Sequence, residues 1–81
     1  MNITELSKEI FKAYAKDAGN WAGEPMVGGN VRFGTEKEDR GNLTQLKRAG
    51  LITTFVDEGD TFIQFTEAGR EYAKGLGVEV L

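Results

Sequence analysis

The sequence predicts a small α+β domain with three helices, a β-hairpin in the C-terminal half and one short additional strand. Three observations predict this class. Apolar residues recur at helical spacing in three separate stretches of the chain. Two runs rich in β-branched and aromatic residues flank a short turn that contains glycine. The length of 81 residues suits one hydrophobic core, so residues 1–81 are expected to form a single domain.

The composition excludes several classes of protein. The chain contains no cysteine and no histidine, which removes thiolate nucleophiles, cysteine zinc sites and the usual general base at neutral pH. We therefore predict that the protein is not an enzyme and that it holds no metal or other cofactor. No stretch approaches the roughly 20 apolar residues that span a bilayer, and no signal peptide is evident. These features predict a cytoplasmic protein with no membrane association.

The first helix is predicted over residues 3–18. Asn2 is the expected N-cap, because Glu5 follows it at the third position of a capping box. Gly19 and Asn20 are expected to end the helix, since both tolerate positive φ. The apolar face predicted from helical spacing consists of Ile3, Leu6, Ile10, Ala13, Tyr14 and Ala18.

Glycine recurs throughout residues 19–34, together with one proline, and this composition disfavours a stable helix there. The same stretch contains too many apolar side chains for a purely solvated loop. We therefore predict an ordered loop pinned by Trp21, with a short strand over residues 30–33.

The second helix is predicted over residues 35–49, where Thr35 and Glu38 form a capping box. Leu43 and Leu46 are expected to point into the core. Glycine in a helix interior costs about 1 kcal/mol relative to alanine, so Gly41 predicts a close approach to another backbone or to a ligand. The opposite face of the helix carries Lys37, Arg40, Gly41, Thr44, Gln45 and Arg48.

A hairpin is predicted over residues 51–66, with an acidic turn at 57–60. Pairing of Val56 with Thr61 sets the register and places Phe55 opposite Phe62 on the outer face. Thr66 is expected to cap a last helix at 67–74, and residues 78–81 form a tail that is either a strand or a docking segment. The register predicts a core face made of Ile52, Thr54, Val56, Thr61, Ile63 and Phe65.

This order of elements is that of a winged helix, and one local pattern strengthens the prediction. The chain reads L-x-x-L-x-x-x-G-L-I from Leu43, then a hairpin, then an apolar residue followed by T-E-x-G-R from Thr66. Over about residues 43–73 it resembles the MarR and PadR type winged helix-turn-helix regulators. The resemblance implies a transcription regulator that inserts the second helix into the major groove of double-stranded DNA.

Under the DNA-binding hypothesis, the contacts come from the exposed face of the second helix, with support from the preceding loop. Arginine and lysine suit guanine and phosphate, glutamine can read adenine, and threonine suits phosphate or a thymine methyl group. The candidate nucleic-acid-binding residues are Arg32, Lys37, Arg40, Thr44, Gln45, Lys47 and Arg48.

A protein-interaction module that lacks DNA binding is the alternative. The net charge is −3, and residues 51–67 carry four acids and no base, which suits a protein partner better than a polyanion. Phe55 and Phe62 would then form the partner-binding surface. Equally, Trp21 and the glycine-rich loop could cover that pair as a second small core. A homodimer through the first helix or the tail also stays open.

Overall fold

The computed structural model describes residues 3–80 and shows three α-helices, a short 3-10 turn and a two-stranded antiparallel hairpin. The predicted α+β class, the three helices and the hairpin are confirmed. None of the helices described is long and apolar enough to cross a membrane. In chain order the elements are α1 (Glu5–Asp17), the 3-10 turn (Ala18–Asn20), α2 (Glu36–Arg48), β1 (Ile52–Asp57), β2 (Asp60–Phe65) and α3 (Glu67–Gly75).

The buried face of α1 differs from the predicted one. Thr4 caps the helix by accepting a hydrogen bond from the Ser7 amide (3.1 Å), while the predicted cap Asn2 lies outside the described residues. Leu6, predicted to face the core, is 47% exposed. Ser7 is buried instead, because its hydroxyl donates to Asn42 Oδ1 of α2 (2.8 Å) and so needs no water. The buried residues of α1 are Ser7, Ile10, Phe11, Tyr14, Ala15 and Asp17.

An ordered loop pinned by Trp21 follows α1, as predicted. The Trp21 indole Nε1 donates to Asp17 Oδ2 (2.9 Å), and the side-chain amides of Asn20 and Asn30 each donate to Asp17 Oδ1 (2.9 Å). Burial on its own raises the pKa of the Asp17 carboxyl, but these three hydrogen bonds outweigh it and hold the pKa below its usual value. The charged carboxylate thereby ties both ends of residues 20–30 to the end of α1.

The short strand predicted at residues 30–33 is wrong; the additional strand pairing lies earlier in the loop. The Val27 amide donates to the Thr61 carbonyl (2.8 Å), and the Ile63 amide donates to the Pro25 carbonyl (2.9 Å). Proline suits this edge position because the pairing uses its carbonyl group and needs no hydrogen bond from the N–H that proline lacks. The loop therefore adds a short third strand segment along the outer edge of β2.

The hairpin has the predicted register, with Ile52 opposite Phe65 and Val56 opposite Thr61. Glu58 and Gly59 both have positive φ (51° and 86°), the signature of the type I′ turn that matches strand twist. The predicted core face is buried only near the base of the hairpin. Val56, near the turn, is 69% exposed, because a cleft separates this end of the hairpin from α2.

Hydrogen bonds at the hairpin base join α2, β1 and α3. The Thr66 hydroxyl donates to the Gly50 carbonyl (2.6 Å) and accepts from the Gly69 amide (2.9 Å), while the Thr66 amide donates to the Leu51 carbonyl (3.1 Å). A Cβ at Gly69 would overlap the Leu51 carbonyl oxygen. The close approach to another backbone predicted at Gly41 is wrong, since no described atom lies within 4 Å of the position of its Cβ; the alternative, an approach to a ligand, stays a prediction.

Two further core residues lie where the pattern placed them. Leu43 and Leu46 are buried between α2 and the rest of the domain. The tail beyond α3 is a docking segment and not a strand, because Val78 is buried and its amide donates to the Ala73 carbonyl (2.9 Å). Val80 packs partly against the same core.

Candidate nucleic-acid interface

The start of α2 is fixed by a complete capping box. Thr35 Oγ1 accepts from the Glu38 amide (3.2 Å), and Glu38 Oε1 accepts from the Thr35 amide (2.9 Å). The bonds to the backbone and side chain of Thr35 hold the pKa of Glu38 below its usual value. This reciprocal pair satisfies two amides that a helix start would otherwise leave without partners.

The other two acids in the first turn of α2 also have partners within the protein. Asp39 accepts from the backbone amides of Phe33 and Gly34 (3.1 Å each), which attaches the loop to the helix. Glu36 forms an ion pair with Arg40 across one helical turn, with 2.7 Å between Oε1 and Nη2. All three carboxylates of this turn therefore have partners within the protein.

Most of the cations of α2 are not paired in this way. Lys37, Lys47 and Arg48 are exposed, and within residues 3–80 no carboxylate oxygen lies within 4.0 Å of their side-chain nitrogens. Arg40 is the exception through its bond to Glu36. Because both side chains are exposed, their ion pair contributes at most about 1 kcal/mol to stability. Arg40 can therefore exchange Glu36 for another anion.

The structure places three other candidates, Thr44, Gln45 and Arg32, in different surroundings. Thr44 is exposed on α2, and its hydroxyl donates to the Arg40 carbonyl (3.0 Å). Gln45 is half-buried and turned toward α1, where its Oε1 accepts from the Thr4 amide (2.7 Å). Arg32 lies on the loop and donates to the Gly28 carbonyl (2.9 Å). Gln45 thus belongs to the α1–α2 contact, and Arg32 lies on the loop side of a cleft that it lines together with α2.

A cleft of about 520 Å³ separates α2 from the loop and the hairpin turn. Tyr14 forms part of its wall, accepting from the Gly28 amide (3.1 Å) and donating to the Val31 carbonyl (3.4 Å). Burial raises the pKa of the Tyr14 phenol, which stays neutral and serves to position the loop. The cleft carries charges of both signs, from Arg32, Glu36, Asp39, Arg40, Lys47 and Asp60.

The outer face of the hairpin presents an aromatic stack that is only partly covered. The rings of Phe55 and Phe62 stack with centroids 5.6 Å apart. Trp21 packs edge-on against Phe62 (6.3 Å), which leaves Phe62 half-buried, whereas Phe55 is 36% exposed. Phe62 is therefore the covered member of the pair and Phe55 the exposed one, while the binding of a partner by either ring stays a prediction.

Asp60 of the acidic turn lines the same cleft as Arg40 and Lys47 of α2. Asp57, Glu58 and Asp60 are exposed, and no ion pair involves them in the part of the chain that the structure describes. The same part of the chain holds no group of three acidic residues placed to bind a metal ion. Comparison with family models, curated proteins and solved structures found no match.

Sequence reasoning missed the role of Asp17, which organises the loop beside the candidate site. One signal could have revealed it: Asp17 and Trp21 lie four residues apart, the spacing at which side chains meet on one side of a helical turn. It also missed the local partners of Glu36 and Asp39, which are Arg40 and the amides of Phe33 and Gly34. That arrangement decides which charges of the helix remain for a ligand.

Proposed function

We propose that the domain is a winged helix that binds double-stranded DNA through the outward face of α2 and acts in transcription regulation. The order of helix, loop, helix, hairpin and helix supports the winged-helix assignment. The backbone segment paired to β2 occupies the place of a third strand in such a domain. The helix that would precede α2 in a helix-turn-helix is replaced by the ordered loop.

The residues of the MarR-like and PadR-like pattern have structural roles that support the same assignment. Leu43 and Leu46 seat α2 in the core, and Gly50 ends the helix with positive φ (78°). Thr66 caps α3, and Gly69 permits the close contact of α3 with β1. The pattern thus encodes the junction of helix and wing, which explains why it favours a fold more strongly than a ligand.

The DNA-binding proposal rests on the difference between the acidic residues of α2, which have partners, and most of its basic residues, which have none among the described carboxylates. The three acids of its first turn are engaged, while Lys37, Lys47 and Arg48 are exposed without a carboxylate partner among the described residues. Lysine and arginine in this state suit phosphate oxygens and guanine edges. Gly41 leaves open space at the middle of the same face, so a nucleic-acid backbone can approach the helix closely.

The acidic turn limits the strength of the interaction. Asp57, Glu58 and Asp60 would be repelled by phosphate, so the hairpin tip has to point away from the duplex. We therefore expect binding in the range typical of non-specific complexes, a dissociation constant of about 10⁻⁴ to 10⁻⁶ M, for random-sequence DNA.

Titration of isotope-labelled protein with a random-sequence duplex at low salt tests the proposal residue by residue. We expect amide shifts concentrated on residues 37–48, and an affinity that falls as salt is added. Three phosphate contacts predict a slope of about −2.7 in a plot of log K against log salt concentration, since each contact contributes about −0.9.

Replacing two of the cations tests the face directly. Lys47→Ala with Arg48→Ala should weaken binding at least tenfold and bring the slope closer to zero by about two. Lys16→Ala with Lys74→Ala is the matched control, because both are exposed cations on α1 and α3, away from the proposed face. Equal losses in both proteins would show that only overall charge matters and would overturn the assignment of the site.

A second candidate function is protein binding through the outer face of the hairpin, favoured by the exposure of Phe55 beside an acidic turn. If millimolar DNA shifts no amide of α2, this candidate takes precedence. A Phe55→Ala variant that folds normally but loses a co-purifying partner retained by the wild type would support it.

A further inference from the structure

The outer edge of β1 is unpaired. In an antiparallel ladder, alternate residues direct their N–H and C=O groups away from the partner strand. Thr61 and Ile63 of β2 direct theirs toward the loop, where Val27 and Pro25 bond to them. The residues opposite them in the register are Val56 and Thr54. These two consequently direct their backbone groups outward on the other side, where no hydrogen bond is made to any described residue.

β1 lacks the features that usually protect an edge strand from pairing. Natural edges carry lysine, proline, a bulge or a cover. The register of β1 is continuous from Ile52 to Asp57, and its first five residues, I-T-T-F-V, are uncharged and contain no proline. Val56 on this edge is 69% exposed. β2, in contrast, has its edge covered by the loop.

We propose that the protein forms a homodimer in which β1 pairs antiparallel with β1 of a second copy, so that the two hairpins form one four-stranded sheet. In the register that joins Thr54 to Val56 of the partner subunit, the two residue pairs exchange four backbone hydrogen bonds. The dyad then passes between the two Phe55 residues. Their rings meet on one face of the sheet, and the Phe55–Phe62 stack continues from one copy into the other.

Charge complementarity identifies a second copy as the occupant of this edge. Antiparallel pairing brings the acidic turn of one hairpin, Asp57, Glu58 and Asp60, to the base of the other. The base is where α2 ends with Arg48, a few residues before Ile52. Each copy therefore offers an anionic tip and a cationic base to its mate, and both groups lack ion-pair partners within residues 3–80. The dimer does not depend on DNA binding.

Analytical ultracentrifugation of the full chain without DNA, from micromolar to millimolar concentration, tests the dimer. The wild type should show a monomer–dimer equilibrium, and amide exchange at Thr54 and Val56 should slow as the concentration rises. Val56→Lys places a charge on the edge and should weaken dimerisation by about tenfold or more. Gln64→Lys adds the same charge to β2 and should leave dimerisation unchanged, because Gln64 lies away from the unpaired edge.

Charge exchange tests the proposed orientation. Asp57→Lys and Arg48→Glu should each weaken the dimer, and the protein that carries both changes should recover most of the affinity. A monomer at millimolar concentration would overturn the proposal, as would equal effects of Val56→Lys and Gln64→Lys or exchange protection at another surface. Val56→Lys leaves the cations of α2 intact, so its effect on dimerisation is distinguishable from a failure to bind DNA.

Discussion

The base and the tip of the hairpin are parts of the same two strands, yet the rest of the protein contacts them very differently. At the base, Ile52, Ile63 and Phe65 are buried, and Thr66 links α3 to the end of α2. At the tip, residues 56–60 are exposed, and the acids there have no ion-pair partner among the described residues. The base therefore determines the fold, while the tip and the outer edge remain available for interactions.

The largest effect should come from the helical glycine at the base. Gly69→Ala would place a methyl group on the Leu51 carbonyl oxygen, and because both groups belong to backbone, neither can move easily. We expect a loss of at least about 3 kcal/mol in the free energy of unfolding, measured by chemical denaturation. Gly41→Ala is the matched control, since its methyl group enters open space on α2.

The control should change stability in the opposite direction. Alanine at position 41 improves helix propensity, so Gly41→Ala is expected to stabilise the protein by roughly 0.5–1 kcal/mol. If the two substitutions had similar effects, the contact between α3 and β1 would not be as close as the structure shows.

A smaller loss is expected at Asp17, which supports the base through the loop segment paired to β2. Asp17→Asn replaces an acceptor of three hydrogen bonds with a group that can accept on one side only. It should destabilise the protein by about 2 kcal/mol at neutral pH. Asp57→Asn, at an exposed acid of the tip, serves as the control and should change stability by less than about 0.5 kcal/mol.

The pKa of Asp17 also predicts how that difference depends on pH. Its folded-state pKa lies below the ordinary value, so its stabilisation is fully present above about pH 4 and is lost as the pH falls through the folded-state pKa. The stability curves of the wild type and of Asp17→Asn should therefore converge on acidification. A gap that stayed constant throughout the acid titration would contradict a charged Asp17.

The smallest effect should come from the turn itself. Glu58 holds a positive φ, which asparagine tolerates better than glutamate. Glu58→Asn should raise the free energy of unfolding by about 0.5 kcal/mol. Comparison with Asp57→Asn separates the backbone effect from the loss of a negative charge, because Asp57 lies in the strand. A stabilisation of the same size in both would assign the gain to charge alone.

The sequence predicted the elements whose signals are local. The capping box at Thr35, the hairpin register and the cap at Thr66 each depend on residues a few positions apart, and all three are present. The face of α1 was less predictable, because the burial of Ser7 depends on Asn42, thirty-five positions away. The strand segment in the loop was misplaced for a similar reason, since its position is set by pairing with β2.

The sequence predicted which residues form the candidate site, but not which of their side chains have partners within the protein. Sequence reasoning identified the cations of α2, and the structure finds Lys37, Lys47 and Arg48 exposed. It did not predict the pair of Arg40 with Glu36, although the two lie four residues apart on one helix. It could not show that Gln45 contacts α1, because that contact depends on the packing of separate elements. Whether these cations meet phosphate stays a prediction.

The position of Trp21 makes it an intrinsic fluorescent probe of how the protein folds. It is the only tryptophan in the chain, its indole N–H bonds to Asp17 at the end of α1, and its ring meets Phe62 of β2. Emission from this one fluorophore therefore depends on two parts of the chain that are far apart in sequence. Its spectrum reports when the N-terminal helix and the hairpin have come together, without any label having been added.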